Sequence, residues 1–137
     1  MNLVDELCEA IEDIIYWRDI ENEDVIKALE ATKDLKYYSK DQWEFLKECI
    51  EDDGGLYADQ EDIHFMLWVT RALMGYSSRE LAAKVDWNSS GILQIEKEKY
   101  NRKVNLKWYG ERLLEVADKF CDELREEYEN ATLSVER

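Results

Sequence analysis

Residues 71–97 read RALMGYSSRELAAKVDWNSSGILQIEK, and the order of caps and apolar positions in this stretch decides the fold. Ser77 is followed three residues on by Glu80. This is a capping box, in which the serine side chain accepts from the helix backbone and the glutamate reaches back to the cap. Leu81, Ala82 and Val85 then fall on one face of the helix that follows. Asp86-Trp87 breaks the spacing, Asn88 is suited to cap a further helix, and Ile92 and Ile95 are the inward residues of that helix. Ala82 is small enough to let two steeply crossing helices approach across a three- or four-residue turn. Upstream, Gly75 closes the preceding helix, because only glycine takes a left-handed helix end without strain.

Leu81, Ala82, Val85, the turn at Asp86, Trp87, Ile92, Ile95 and Glu96 are spaced as in the helix-turn-helix of the phage-repressor (Cro/CI, or Xre-like) family, which the chain resembles over about residues 63–120. The resemblance implies a DNA-binding transcription regulator of the kind that phages and other mobile elements encode. It also implies an ion pair between Arg71 on the first helix of the motif and Glu96 at the end of the third. Base edges in the major groove would be read by Ser89, Ser90 and Gln94, with Gln94 able to bond adenine through both amide atoms. Phosphate contacts fall to Ser78 and Arg79, and beyond the third helix to Lys97, Lys99, Arg102 and Lys103. Family members bind two-fold operators as homodimers, and Leu93, Trp108 and Tyr109 are the candidate exposed apolar residues for such contact. The chain departs from the pattern in three ways. Gly91 lies inside the reading helix, Leu93 takes an outward position that is usually polar, and no Arg or Lys precedes Lys97 in that helix.

The 137 residues fit one compact domain, or two small lobes sharing a core. With no proline, five glycines and no sustained period-two alternation, the expected class is all-α. An acidic three-helix lobe, residues 1–55, precedes a helix-turn-helix lobe, residues 56–137, with a long C-terminal helix. Gly54-Gly55 marks the boundary. In the first lobe, Leu3, Leu7, Ile11, Ile14 and Ile15 form the stripe of one helix. Asn22 is placed to cap a second, with Val25 or Ile26, Leu29, Thr32 and Leu35 inward. Ser39 with Gln42 caps a third that carries Trp43, Leu46, Cys49 and Ile50. In the second lobe, Asp59 opens a helix with Ile63, Leu67 and Leu73 inward. Asn105 opens the last helix, with Leu106, Tyr109, Leu113, Ala117, Phe120, Leu124 and Tyr128 at helical spacing, and a fraying tail from Ala131.

The first residues lack the basic stretch of a signal peptide, and no apolar run is long enough to span a bilayer. Cys8, Cys49 and Cys121 stand far apart, as in a protein of the reducing cytoplasm. His64 has no cysteine or second histidine at ligand spacing, so it reads as a surface or internally bonded side chain. No phosphate loop or nucleophile–base pair occurs, so neither an enzyme nor a metal or cofactor site is expected.

The net charge of −15 is unevenly spread. Residues 1–62 carry 6 basic and 20 acidic side chains, a net of −14, and residues 111–137 a net of −5. Residues 63–110, which hold the motif, carry 8 basic and 4 acidic side chains, a net of +4. Two functions follow. One is a DNA-binding regulator with an acidic partner-binding lobe. The other is an acidic inhibitor or DNA mimic, of the anti-CRISPR sort, in which Glu9, Glu12 and Asp13, or Glu51, Asp52 and Asp53, enter the basic nucleic-acid-binding cleft of another protein.

Overall fold

The computed structural model describes residues 2–32, 40–51, 63–96 and 103–136. Among these residues there are seven helices and no strand: α1 (Leu3–Arg18), α2 (Asn22–Thr32), α3 (Lys40–Glu51), α4 (Ile63–Met74), α5 (Ser78–Val85), α6 (Ser89–Glu96) and α7 (Lys103–Glu136). None of the described helices is long and apolar enough to cross a membrane. Leu35, Ser39, Asp52, Asp53, Gly54, Gly55, Asp59 and residues 97–102 lie outside the described residues, as do the side chains of Gln42, Leu46, Cys49, Ile50, Lys103 and Asn105.

The centre of the molecule is α4. Sequence spacing predicts one buried face, but all ten residues from Phe65 to Met74 are buried. The cause is its position, with α1, α2, α6 and α7 packed around it. A helix enclosed on every side tolerates apolar residues all round, and its sequence obeys that rule. Its two polar exceptions are satisfied. Thr70 donates its hydroxyl to the Met66 carbonyl at 2.7 Å, and Arg71 is paired as described below. Trp68 gathers the acidic half of the chain onto α4. It meets Trp43 of α3 at 6.2 Å between ring centroids, and its indole N–H donates to Thr32 Oγ1 of α2 at 3.0 Å. The core residues of α1 and α2, Leu7, Ile11, Ile14, Val25 and Leu29, join those of α4 to α7 in a single apolar cluster.

Helix α1 lies beside both α4 and α7. Leu3 rests against Gly110, where a methyl group would stand 2.6 Å from its Cδ2, and Trp17 meets the edge of Tyr128, so α1 and α7 run in the same direction. The expected stripe of α7 is buried only in part. Tyr109, Leu113 and Ala117 are buried, Phe120 and Leu124 are half-buried, and Tyr128 is 64% exposed. Tyr128 meets Trp17, in the last turn of α1. The helix starts at Lys103, two residues before the expected Asn105, and stays helical to Glu136 instead of fraying from Ala131.

Helix ends follow local chemistry. Asn2 caps α1, accepting from the Asp5 amide at 2.9 Å. Asn22 is not the cap of α2 but its first helical residue, and the Asp24 carboxylate closes that end by accepting from the Glu21 amide at 3.0 Å. Gly75 closes α4 with φ +81°. Asp86 closes α5 in the left-handed region, φ 56°, where its short polar side chain is tolerated.

Gly91 is the position where packing overrides propensity. It is buried against the indole of Trp87, and a Cβ there would fall 2.4 Å from Cζ2 of the ring. Trp87 is itself wedged against Trp108 and Tyr109 at 5.7 and 5.8 Å, so it has little room to retreat. Helix propensity alone favours Gly91→Ala by about 1 kcal/mol. Overpacking reverses the sign, and we expect Gly91→Ala to destabilise the fold by roughly 1–3 kcal/mol in chemical denaturation. The same change in a Trp87→Leu background is expected to be neutral or stabilising. Stabilisation by Gly91→Ala alone would contradict this packing.

Candidate nucleic-acid interface

The turn between α5 and α6 is built from short-range bonds. Ser77 Oγ accepts from the Glu80 amide at 3.1 Å while the Glu80 carboxylate accepts from the Ser77 amide at 3.2 Å. Asn88 Oδ1 accepts from the Gly91 amide at 2.7 Å and starts α6. Three residues, Asp86 to Asn88, separate the two helices. Leu81, Ala82 and Val85 on α5 and Ile92 and Ile95 on α6 face the core.

Arg71 and Glu96 anchor this unit. Arg71 Nε donates to both carboxylate oxygens of Glu96, at 2.9 and 3.0 Å, and Nη2 donates to Oε1 at 2.7 Å. Nη1 donates to the Tyr76 carbonyl at 2.9 Å. The two residues are 2% and 5% exposed. One guanidinium thus ties the end of α4, the turn before α5 and the end of α6. A second polar link joins α4 to α6, where His64 Nδ1–H donates to the Ile95 carbonyl at 2.6 Å.

With α6 held this way, Ser90 and Gln94 are exposed, and Ser89 and Leu93 are half-buried. On α5, Arg79 is exposed and Ser78 half-buried. Ser78, Arg79, Ser89, Ser90 and Gln94 therefore belong to one compact unit. Lys97, Lys99 and Arg102 lie outside the described residues, and only the backbone of Lys103 is described. Sequence reasoning passed over Lys84, exposed on α5 with its ammonium 4.9 Å from the centre of the Tyr76 ring. Its signal was available, one and a half turns after Arg79 on the same short helix. The exposed charges of α5 and the turn, Arg79 and Lys84 against Glu80 and Asp86, cancel. The positive balance of residues 63–110 therefore comes from the stretch that follows α6.

Tyr109, expected on an exposed dimer face, is fully buried instead. Its ring packs on Trp87, and its hydroxyl has no hydrogen-bond partner among the described residues. Burial first, and then the Glu96 charge, hold that hydroxyl well above its ordinary pKa. Trp108 is half-buried, between Trp87 and the Arg112 guanidinium.

The acidic candidates fall in two places. Glu9, Glu12 and Asp13 are exposed on α1, and a shallow groove brings Glu6, Glu9 and Asp13 together with Asp118 of α7. Asp118 was not singled out from sequence, since only the packing of α7 on α1 joins the two carboxylate rows. Glu51 is exposed at the end of α3, beside Glu21 and Glu23 of α2. Among the described residues no group of three or more His, Cys, Asp or Glu side chains is placed to hold a metal ion. Burial and the charges of Asp13, Asp118 and Asp122 push the Cys121 thiol up to about 11, so it is protonated and unreactive at neutral pH. In comparisons with family models, with curated proteins and with solved structures, nothing matches this chain.

Removing one partner of the Arg71–Glu96 pair leaves a buried charge without compensation. We expect Arg71→Met to destabilise the protein by about 3–5 kcal/mol in urea denaturation, and Arg71→Met with Glu96→Leu to recover most of that loss. A double variant as unstable as the single one would contradict this account.

One carboxyl links stability to pH. Partial burial first, then Asp122, Asp13 and Glu6, raise the Asp118 carboxyl above its ordinary value. A carboxyl with a raised folded value contributes stability that is complete below its unfolded value and is lost as pH rises through the folded one. The melting temperature is therefore expected to rise as pH falls from neutrality toward the ordinary carboxylate range near about 4. Asp118→Asn should raise it at neutral pH and weaken the dependence. A melting temperature that falls steadily over this window would refute the assignment.

Proposed function

We propose that the chain is a helix-turn-helix regulator that sets α6 against duplex DNA and offers its acidic α1–α7 face to a protein partner. The observation that carries this reading is the division of α6 into two faces. Ser90 and Gln94 stand exposed one helical turn apart, while Ile92, Ile95 and Glu96 behind them are buried. A rigid helix with short polar side chains on its outer face suits the major groove, and Gln94 has the amide geometry that pairs with adenine. Arg79 and Lys84 supply cations on α5, and Lys97, Lys99, Arg102 and Lys103 follow α6 directly in the chain. In the proposed homodimer, two copies of α6 address half-sites about 34 Å apart.

A second reading rests on the groove that brings Glu6, Glu9 and Asp13 of α1 together with Asp118 of α7. In it the acidic face enters a basic cleft of a nucleic-acid-binding protein, and α5 and α6 serve as scaffold. Fluorescence anisotropy against a random duplex pool at roughly 50 mM salt separates the two, because backbone contacts are strongest there. The regulator is expected to bind. Arg79→Ala should weaken binding to all sequences alike, and Gln94→Ala should lower sequence preference. Absence of binding to any duplex overturns the regulator reading. Capture of a lysine- and arginine-rich peptide that is lost on reversing Glu9, Glu12 and Asp13 then supports the second.

A further inference from the structure

Between α2 and the start of α5 lies a cleft of about 720 Å³, within the ~300–1,000 Å³ typical of small-molecule sites. Its wall carries three cations, Arg18, Lys27 and Arg71, against two carboxylates, Asp24 and Glu80, and Arg71 is paired behind the wall with Glu96. The two carboxylates on its wall are both turned to backbone amides, Asp24 to Glu21 and Glu80 to Ser77. Lys27 has no ion pair among the described residues, and Arg18 donates to the Leu73 carbonyl and to no carboxylate among them.

Arg71 adds the stronger argument. Its bonds to Glu96 and Tyr76 use Nε and one N–H on each terminal nitrogen. The second N–H of Nη1 and of Nη2 has no acceptor among the described residues, and the side chain is only 2% exposed where it forms part of the cleft wall. Each Arg71 nitrogen already has one acceptor, and an anion in the cleft would add a second to the terminal ones. The rest of the wall is small and apolar, with Ala28, Ala31 and Leu93.

We infer that this cleft binds a small organic anion, its phosphate or carboxylate head among Arg18, Lys27 and Arg71 and its apolar part over Ala31 and Leu93. The site forms between α2 and the motif, and its wall includes Ser78 and Leu93 but neither Ser90 nor Gln94. A ligand there touches both α2 and α6, and it stabilises their arrangement in proportion to its occupancy.

The test is isothermal titration of the full chain with phenyl phosphate, benzoate and benzyl alcohol, at ionic strength held constant with sodium chloride. A saturable heat with phenyl phosphate alone identifies a phosphate head, with benzoate alone a carboxylate head, and with both a site that reads charge. Benzyl alcohol is expected to give none. Lys27→Gln removes one cation, and Ala31→Trp fills the cleft. Both positions are exposed, so circular dichroism should report folded variants. Each is expected to weaken binding by at least about tenfold, while Lys119→Gln on α7 leaves it unchanged. The inference is overturned if no anion gives saturable heat, or if benzyl alcohol binds as well as the anions. It is also overturned if Lys27→Gln and Ala31→Trp both bind as the unaltered chain does.

Discussion

The Arg71–Glu96 pair is the constraint on which the rest of the motif depends. Helix α6 has eight residues, far short of the roughly 12–15 at which an isolated helix becomes even marginal in water. Its apolar anchors are Ile92 and Ile95, and two side chains hold a helix down without fixing its rotation about its own axis. The guanidinium supplies that rotation. Its fork meets the carboxylate through parallel bonds that tolerate little angular error, and it also holds the Tyr76 carbonyl. The direction in which Ser90 and Gln94 face solvent is thus set from behind, by a pair that no ligand of the outer face would touch.

The pair imposes requirements on its surroundings. Two ions removed from water need every donor and acceptor nearby to be arranged, and α4 supplies the enclosure by being buried on all sides. The acidic first half of the chain is part of that enclosure. Leu7, Ile11 and Ile14 of α1 and Val25 and Leu29 of α2 belong to the same core as the buried residues of α5 and α6, so the charge boundary in the sequence is not a boundary in the packing. Like charges on α1 and α7 are pressed together as a result. Burial first, and then the charges of Asp122, Asp13 and Glu6, raise the Asp118 carboxyl at that contact.

What the sequence made legible was whatever is decided within three or four residues. The Ser77–Glu80 box, the Asn88 cap and the Gly75 helix end could be read because their partners are near in the chain. The amphipathic stripes of α1 and of the first half of α7 could be read because period and burial agree there. Misreadings came where a distant element decides. The all-round burial of α4 depends on four other helices, and a one-faced stripe was the natural expectation without them. Tyr109 and Tyr128 share one periodic stripe, yet one is buried under Trp87 and the other is exposed beside Trp17 in the last turn of α1. Gly91 looked like a flaw in a helix and is the space that Trp87 occupies. At the site, Arg71 and Glu96 came from the spacing of a resembling family, whereas Asp118 and the cationic cleft exist only once α7 and α2 are placed. For Asn22, the error was local, since the helix already includes Asn22 and the Asp24 carboxylate reaches back to the Glu21 amide.

The charge distribution also decides what kind of contact the outer face of α6 is suited to make. Long-range attraction to phosphate scales with the cations presented, and among the described residues the exposed charges of α5 and the turn sum to zero. A contact through α6 would then rest on short-range bonds from Ser90 and Gln94, with a few cations from the stretch after Glu96. Such a contact is sequence-selective in proportion to its weakness, because little of its free energy comes from the uniform backbone. In the proposed regulator, the near-neutral surface of α5 and the turn would limit nonspecific adsorption to DNA and leave specific contact to Ser90 and Gln94.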